Sequence, residues 1–331
     1  MGPRVSRGRA RLLTSSEEPL RTIGIDLGGT KTLAVLVEDG VVVEKAKRPT
    51  PRVGSPDDVL ATMAKVAASV DPDATATAIG IGAPGPVVPG TGVLPAAPNL
   101  PGWDHDVPVA DLMSERLGGR PVVVGNDVNV GTLAEHRLGA GKGVDDLLGV
   151  FAGTGVGAGL ILDGQLREGP RGLAGEIGHI FVAFRDLAQQ VEGLGRGELE
   201  DYAGRKALER RVIAAGAPDN EAMLALRSDG RLKSKAWAMA IEMNDPLARR
   251  LVDQAASALA TAMASVITIL DIELVVLGGG FAERLGEPFR LRVEAEVAER
   301  AFAGISAPVV PARLGDAGGA IGAALLVEGL A

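Results

Sequence analysis

Hydrophobic and polar positions change period repeatedly along the chain, and each change predicts an element. Thr22–Asp26 and Thr32–Val37 are β-rich runs joined through Gly28-Gly29, and Val41–Lys45 follows the Asp39-Gly40 turn. Three such runs closed by tight turns predict an antiparallel meander. Ser55-Pro56-Asp57-Asp58 reads as a helix start, with Ser as cap and Pro at the first helical position. Val59, Leu60, Met63, Val66, Ala67 and Val70 then keep helical spacing. Ala76–Ile81 predicts a buried strand running into Gly82-Ala83-Pro84-Gly85-Pro86. A helix from Val107 to about Leu117, a strand at Val122–Val124 ending at Asn126-Asp127, and a helix from about Val130 complete the first half.

Leu147–Phe151 and Ala158–Leu162 predict a second meander, with Asp163-Gly164 turning into its third strand. The order strand, Gly turn, strand, Asp-Gly turn, strand thus occurs twice, as in a fold with two related halves. Helices are predicted at Leu199–Ala215, Asn220–Leu226, Lys233–Met243 and Pro246–Leu270, and a strand at Leu274–Leu277. Phe289, Val293, Val297 and Ala301 share one helical face, and Gly318–Gly329 predicts a buried last helix of small residues. Residues 1–20 mix four Arg with Ser, Gly and Pro without a period, which reads as a disordered arm or, alternatively, a nucleic-acid-binding tail.

At 331 residues, 46% apolar and 23% charged, the chain is long enough for two domains of roughly 150 residues each. The net charge of −8 argues against a nucleic-acid partner. The absence of Cys removes disulfides, thiol nucleophiles and thiolate zinc sites. The longest uncharged apolar stretches, Leu147–Leu162 and Ala255–Leu270, are 16 residues each, against the ~20 of a membrane span. Residues 1–20 also lack the apolar core of a secretion signal. The expectation is a soluble, cytoplasmic protein without a membrane partner.

Glycine reaches 46 of 331, about twice the usual ~7%, and is bunched after apolar runs. Asp26 ends a strand that turns through Gly28-Gly29-Thr30-Lys31, where successive N–H groups can form an anion nest for phosphate. Asp26 beside it suits Mg²⁺ held through water. Neither a Walker loop nor a dinucleotide fingerprint is present. Gly153-Thr154-Gly155 makes a second such turn, and Gly278-Gly279-Gly280 suits close contact with a nucleoside. For any one bunch a tight turn alone is an equal explanation; two phosphate hairpins facing one another are far more specific.

These segments resemble the ROK sugar kinases, glucokinase-like members of the actin/hexokinase superfamily, over about residues 21–328. The matching runs are Gly24–Lys31, Gly82–Gly85, Asn99–Trp103, Asn126-Asp127, Gly153–Gly155, Gly175–His179, Leu277–Gly280 and Ala317–Ala323, in the family's order and spacing. The resemblance implies an α/β, two-domain actin-like ATPase (ribonuclease H-like) fold, each domain a mixed sheet flanked by helices. It implies a small domain at 21–125, completed by a C-terminal helix at 316–331, and a large one at 126–315. The family's repressors carry a further N-terminal winged helix, for which about 20 residues before Thr22 are too few.

The implied activity is ATP-dependent phosphorylation of a hexose, with glucose at its 6-hydroxyl the first choice. N-acetylmannosamine, N-acetylglucosamine, fructose and allose are the alternatives. Asp127 would be the general base; at a strand end it could instead cap a helix. Asn99, Asn126, Glu176, His179 and Glu200 would bind sugar hydroxyls, although His179 could equally be a structural histidine. Asp26, Gly28, Gly29, Thr30, Lys31, Gly153, Thr154, Gly155, Gly278, Gly279 and Gly280 would bind ATP, with Asp26 holding Mg²⁺ through water. The family holds zinc with a His and three Cys, but Val191, Gly193 and Glu198 stand at the Cys positions here, so no zinc is expected. Gly125 stands where relatives often carry Glu. A sugar-sensing protein without catalysis, and polyphosphate as donor, are the competing readings. The expected assembly is a homodimer or homotetramer.

Overall fold

The computed structural model describes residues 20–183 and 195–328. The predicted arm, apart from Leu20, lies outside the described residues, as do Val191 and Gly193 of the zinc comparison.

The first meander forms as β1 (Arg21–Leu27), β2 (Lys31–Glu38) and β3 (Val41–Pro49). β4 (Ala78–Ala83) and β5 (Val122–Asn126) add in parallel beside β1, giving the order β3-β2-β1-β4-β5. β3 is an exposed edge whose Glu44, Lys45, Lys47 and Arg48 discourage pairing with another chain. The second sheet repeats this plan with β6 (Leu147–Ala152), β7 (Val156–Leu162), β8 (Gln165–Leu166), β9 (Leu274–Gly278) and β10 (Val309–Pro311) in the order β10-β9-β6-β7-β8. In both sheets two parallel strands extend an antiparallel meander beyond its first strand. The internal echo read in the sequence is therefore an echo of whole sheets.

The helices are α1 (Pro56–Val70), α2 (Val109–Arg116), α3 (Asp127–Leu138), α4 (Leu199–Ala203), α5 (Arg205–Ala215), α6 (Glu221–Ala225), α7 (Ser234–Glu242), α8 (Pro246–Leu270), α9 (Ala282–Glu299) and α10 (Gly318–Leu325). Ser55 and Asp58 close a capping box on α1, and all six apolar residues predicted for its inner face are buried. α8 is long and apolar enough to cross a membrane by length and composition, but its buried apolar face, from Leu247 to Ile267, belongs to the larger hydrophobic core.

Four expectations are corrected. The helix expected at Leu199–Ala215 is broken at Gly204, which is extended (φ −74°, ψ 129°). The break lets the Arg205 and Lys206 N–H groups reach the Gly153 and Thr154 carbonyls at 3.2 and 3.1 Å. α3 starts at Asp127 rather than near Val130, because Asn126 caps it. Ala301 lies beyond the end of α9, after Arg300. A 3₁₀ turn at Gly315–Ala317 precedes α10, which ends at Leu325; residues 329–331 of the expected helix lie outside the described residues.

α3 is gripped from two sides. α10 lies so close over β1 and β4 that a Cβ on Gly24 or Gly80 would run into the Ala320 or Ala323 carbonyl. A Cβ on Gly322 would likewise strike the Val130 carbonyl of α3. On the opposite side the fully buried Thr132 of α3 occupies the space that side chains on Gly149 and Gly159 would need. At Gly24, Gly80 and Gly322 backbone meets backbone, so no rotamer change can make room.

Gly322→Val should therefore cost about 2 kcal/mol or more in urea unfolding, at the upper end of overpacking effects. An unchanged unfolding midpoint would show that α10 is not seated on α3 in this way.

Candidate active site

The site forms where β1, β4 and β5 end side by side, with Asp26 paired to Gly82 and Gly82 to Gly125. Carboxyl ends of parallel strands are the usual ligand side of an open α/β sheet. Asn126 follows Gly125 and caps α3: its Oδ1 accepts from the Val128 and Asn129 N–H groups at 2.9 and 3.0 Å. The capping role considered for Asp127 thus falls to Asn126. Asn126 Nδ2 donates to Gly85 O at 3.1 Å and to Asp127 Oδ1 at 3.2 Å, so any sugar contact would draw on the same two hydrogens. Asp127 stands at the first helical position, half-exposed, with Oδ1 also accepting from the Val128 N–H.

Both carboxylates at this floor are pushed toward neutrality. Asp127 is raised to about 7, first by loss of water contact among its neighbours, then by the charge of Asp26, with Glu176 a smaller cause. Asp26 is raised to about 6 by burial, drawn down by Lys31 and raised again by Asp316. Both border a cavity of about 260 Å³ that runs from Lys31 to Gly279 and Gly280. Lys31 Nζ pairs with Asp316 at 3.0 Å across it.

The first hairpin turns at Gly28-Gly29-Thr30, closed by Gly28 N–H to Lys31 O at 3.0 Å and braced by Thr50 Oγ1 on Gly28 O at 2.6 Å. In the second, Gly153 N–H donates to Gly155 O at 2.8 Å, and Arg205 Nη2 donates to Thr154 Oγ1 at 3.2 Å. Gly279 is left-handed (φ +89°), and a Cβ there would strike the Ala152 backbone. Gly278 is buried in β9, under Phe151 and Ala312, rather than at the cavity.

The candidate sugar residues fall in two places. Glu176, at the head of a 3₁₀ turn (Ile177–His179), lies within electrostatic reach of Asp127 and His179, and Glu200 within reach of His179. Glu200 Oε2 accepts from the Val156 N–H at 2.8 Å, which joins this cluster to the second hairpin. His179 Nδ1 pairs with Glu198 Oε2 at 3.1 Å, and this hydrogen bond raises the imidazole above its ordinary value. A carboxylate only accepts, so Nδ1 carries the proton and Nε2 is left for another partner. Glu198 is one of the residues standing where relatives carry Cys. Asn99 lies beside Gly29, with Lys206 Nζ donating to its Oδ1 at 3.2 Å.

Sequence reasoning missed several contributors. Glu135 is buried and accepts from the Ala140, Arg313 and Leu314 N–H groups, all at 2.8 Å, fixing the strand-end segment that lines the cavity. Asp316 and Gly319 lie in the glycine bunch that was visible, but the bunch alone carried no role. A Cβ on Gly319 would sit 3.0 Å from Asp26 Cγ, so glycine keeps that carboxylate accessible. Hard oxygen donors, two carboxylates of raised pKa and space beside one of them fit Mg²⁺ held by few protein ligands. No cluster of three metal-ligating side chains exists among the described residues.

Residues 22–329 match the profile of the ROK family. Over 317 residues the chain is 32% identical to the glucokinase of Thermotoga maritima, covering 93% of this chain and 98% of that protein. The ROK hexokinase from Thermus thermophilus superposes with a TM-score of 0.77 at 33% identity, over 92% of this chain and 97% of that one. The ROK family glucokinase from Streptomyces griseus, solved in complex with glucose and AMPPNP, gives 0.75 at 31%, over 92% and 98%. The fold, two mixed five-stranded sheets flanked by helices, is that of the actin-like ATPases.

Carboxyl ¹³C titration of Asp127 should give a midpoint near 7, shifted downward in Asp26→Asn, where a neighbouring charge is lost. The folded pKa lies above the unfolded value near 3.9, so the folded state holds this proton more tightly. The stability it contributes is full below the unfolded value and is lost as pH rises through about 7. A midpoint near 4 would contradict the electrostatics described here.

Proposed function

The chain belongs to the ROK family, and from that premise we propose that it is a sugar kinase transferring the γ-phosphoryl group of ATP to a hexose, glucose at its 6-hydroxyl first. The observation that carries this is Asp127, a carboxylate of pKa about 7 standing between the cavity of Asp26 and Lys31 and the cluster of Glu176, His179 and Glu200. A base whose pKa lies near the working pH combines availability with proton affinity. The glucose and AMPPNP held by the Streptomyces griseus relative support the choice of both substrates.

In this reading ATP occupies the cavity with its nucleoside toward Gly279-Gly280 and its phosphates toward Lys31 and the hairpins at Gly28–Lys31 and Gly153–Gly155. The hexose lies against Glu176, His179, Glu200 and Asn99. Asp127 accepts the proton of the attacking hydroxyl as its oxygen bonds to γ-phosphorus and the bond to the β-bridging oxygen breaks, leaving ADP. Asn126 holds Asp127 in place through its cap and its Nδ2 bond. Mg²⁺, held at Asp26 through water, would neutralise charge on the phosphates. Glu198 holds His179 by hydrogen bond, so no structural zinc is required there.

The cleft lies between units at 21–125 with 316–331 and at 126–315, which we propose as the two domains. A soluble, cytoplasmic homodimer or homotetramer completes the proposal. The non-catalytic sensor reading is disfavoured by the raised pKa of Asp127 and by the intact hairpins. The close-approach turn at Gly279-Gly280 favours ATP over polyphosphate.

An ADP-release assay over glucose, N-acetylmannosamine, N-acetylglucosamine, fructose and allose should show Mg²⁺-dependent turnover with glucose at the highest kcat/KM. The same purified protein should contain no stoichiometric zinc. Sugar binding by calorimetry without ADP release from any sugar would establish the sensor reading instead.

A further inference from the structure

Lys206 is not accounted for by the mechanism above, yet it joins two parts of the site. Its backbone N–H bonds Thr154 O at 3.1 Å, and its neighbour Arg205 bonds Thr154 Oγ1 and Leu232 O at 3.2 and 3.1 Å. The first turn of α5 is thereby fixed on the second phosphate hairpin. From there Lys206 Nζ donates to Asn99 Oδ1 at 3.2 Å. Asn99 belongs to the loop beside the first hairpin, where a Cβ on Gly29 would come within 3.2 Å of its carbonyl oxygen.

An ammonium has donors and no acceptor, so the Asn99 amide presents its oxygen to Lys206 and turns both Nδ2 hydrogens elsewhere. That orientation makes Asn99 a hydrogen-bond donor toward a sugar hydroxyl oxygen. We propose that Lys206 is a positioning residue that sets the donor face of Asn99 toward the hexose and ties that contact to the second phosphate hairpin. The inference deepens the sugar-kinase reading and rests on it. Lys206 touches the sugar only through Asn99, so its effect should fall on sugar affinity rather than on the phosphoryl-transfer step.

Lys206 is exposed, so Lys206→Met should fold normally. The test is a double-mutant cycle of Lys206→Met and Asn99→Ala, read by glucose calorimetry and steady-state kinetics. Lys206→Met should weaken glucose about five- to tenfold, the effect of one net hydrogen bond, and raise the glucose KM with kcat within about twofold. The double variant should be no weaker than Asn99→Ala, and Lys206→Arg, which keeps a donor, should recover part of the loss. Unchanged glucose affinity in Lys206→Met, multiplying losses in the double variant, or a fall confined to kcat would each overturn the assignment. A wild-type protein that neither binds nor phosphorylates a hexose would overturn the functional reading and this inference with it. A competent wild type with an indifferent Lys206→Met overturns the inference alone.

Discussion

The close seating of α3 between α10 and the second sheet is the constraint on which the rest depends. α3 carries the key carboxylate at its first position, and its backbone and Thr132 are approached by residues that must lack side chains, Gly322 on one side and Gly149 and Gly159 on the other. A helix held in this way cannot slide by a fraction of a turn without atomic overlap. Asp127 is consequently placed by the fold rather than by its own rotamer. The abundant glycine thus serves two ends: close packing of α3 and α10, and a turn at Gly279-Gly280 whose backbone lines the cavity.

Electrostatics then follow from placement. Bringing Asp26 to the end of β1 and Asp127 to the end of β5, with only β4 between them and limited water, raises both carboxyls, while Lys31 tempers Asp26. The same floor that makes ionisation costly makes Asp127 a better proton acceptor. In the neighbouring cluster, Glu198 pairs with His179 by an ordinary hydrogen bond, and Glu200 is fixed by the Val156 N–H. Orientation of both side chains is achieved through backbone and carboxylate contacts.

What was legible in the sequence was local or came in matched segments. Both meanders, the inner face of α1 from Val59 to Val70 and the strand ending at Asn126-Asp127 are all signalled by residues close together in the chain. The family resemblance rested on short glycine-rich runs, and the profile match over 22–329 agrees with it. Tertiary contacts were not legible. The break at Gly204 exists because α5 docks on Gly153 and Thr154, some fifty residues earlier, and no periodicity records that. β10 is three residues ending in Pro311, too short to signal itself. Glu198 was visible as a departure from the family pattern, but its bond to His179 was not. Glu135, in a helical pattern, gave no sign that it accepts the Arg313 and Leu314 N–H groups from 178 and 179 residues away.

The central claim is that Asp127, placed by α3, takes the proton of the sugar hydroxyl. Asp127→Asn keeps the size and the hydrogen bond to Asn126 but cannot accept that proton. Steady-state rates beside glucose calorimetry on this variant test the claim most directly. The account predicts a fall in kcat of roughly 10² or more with glucose affinity little changed. Turnover near the wild-type rate in a folded Asp127→Asn protein would contradict it.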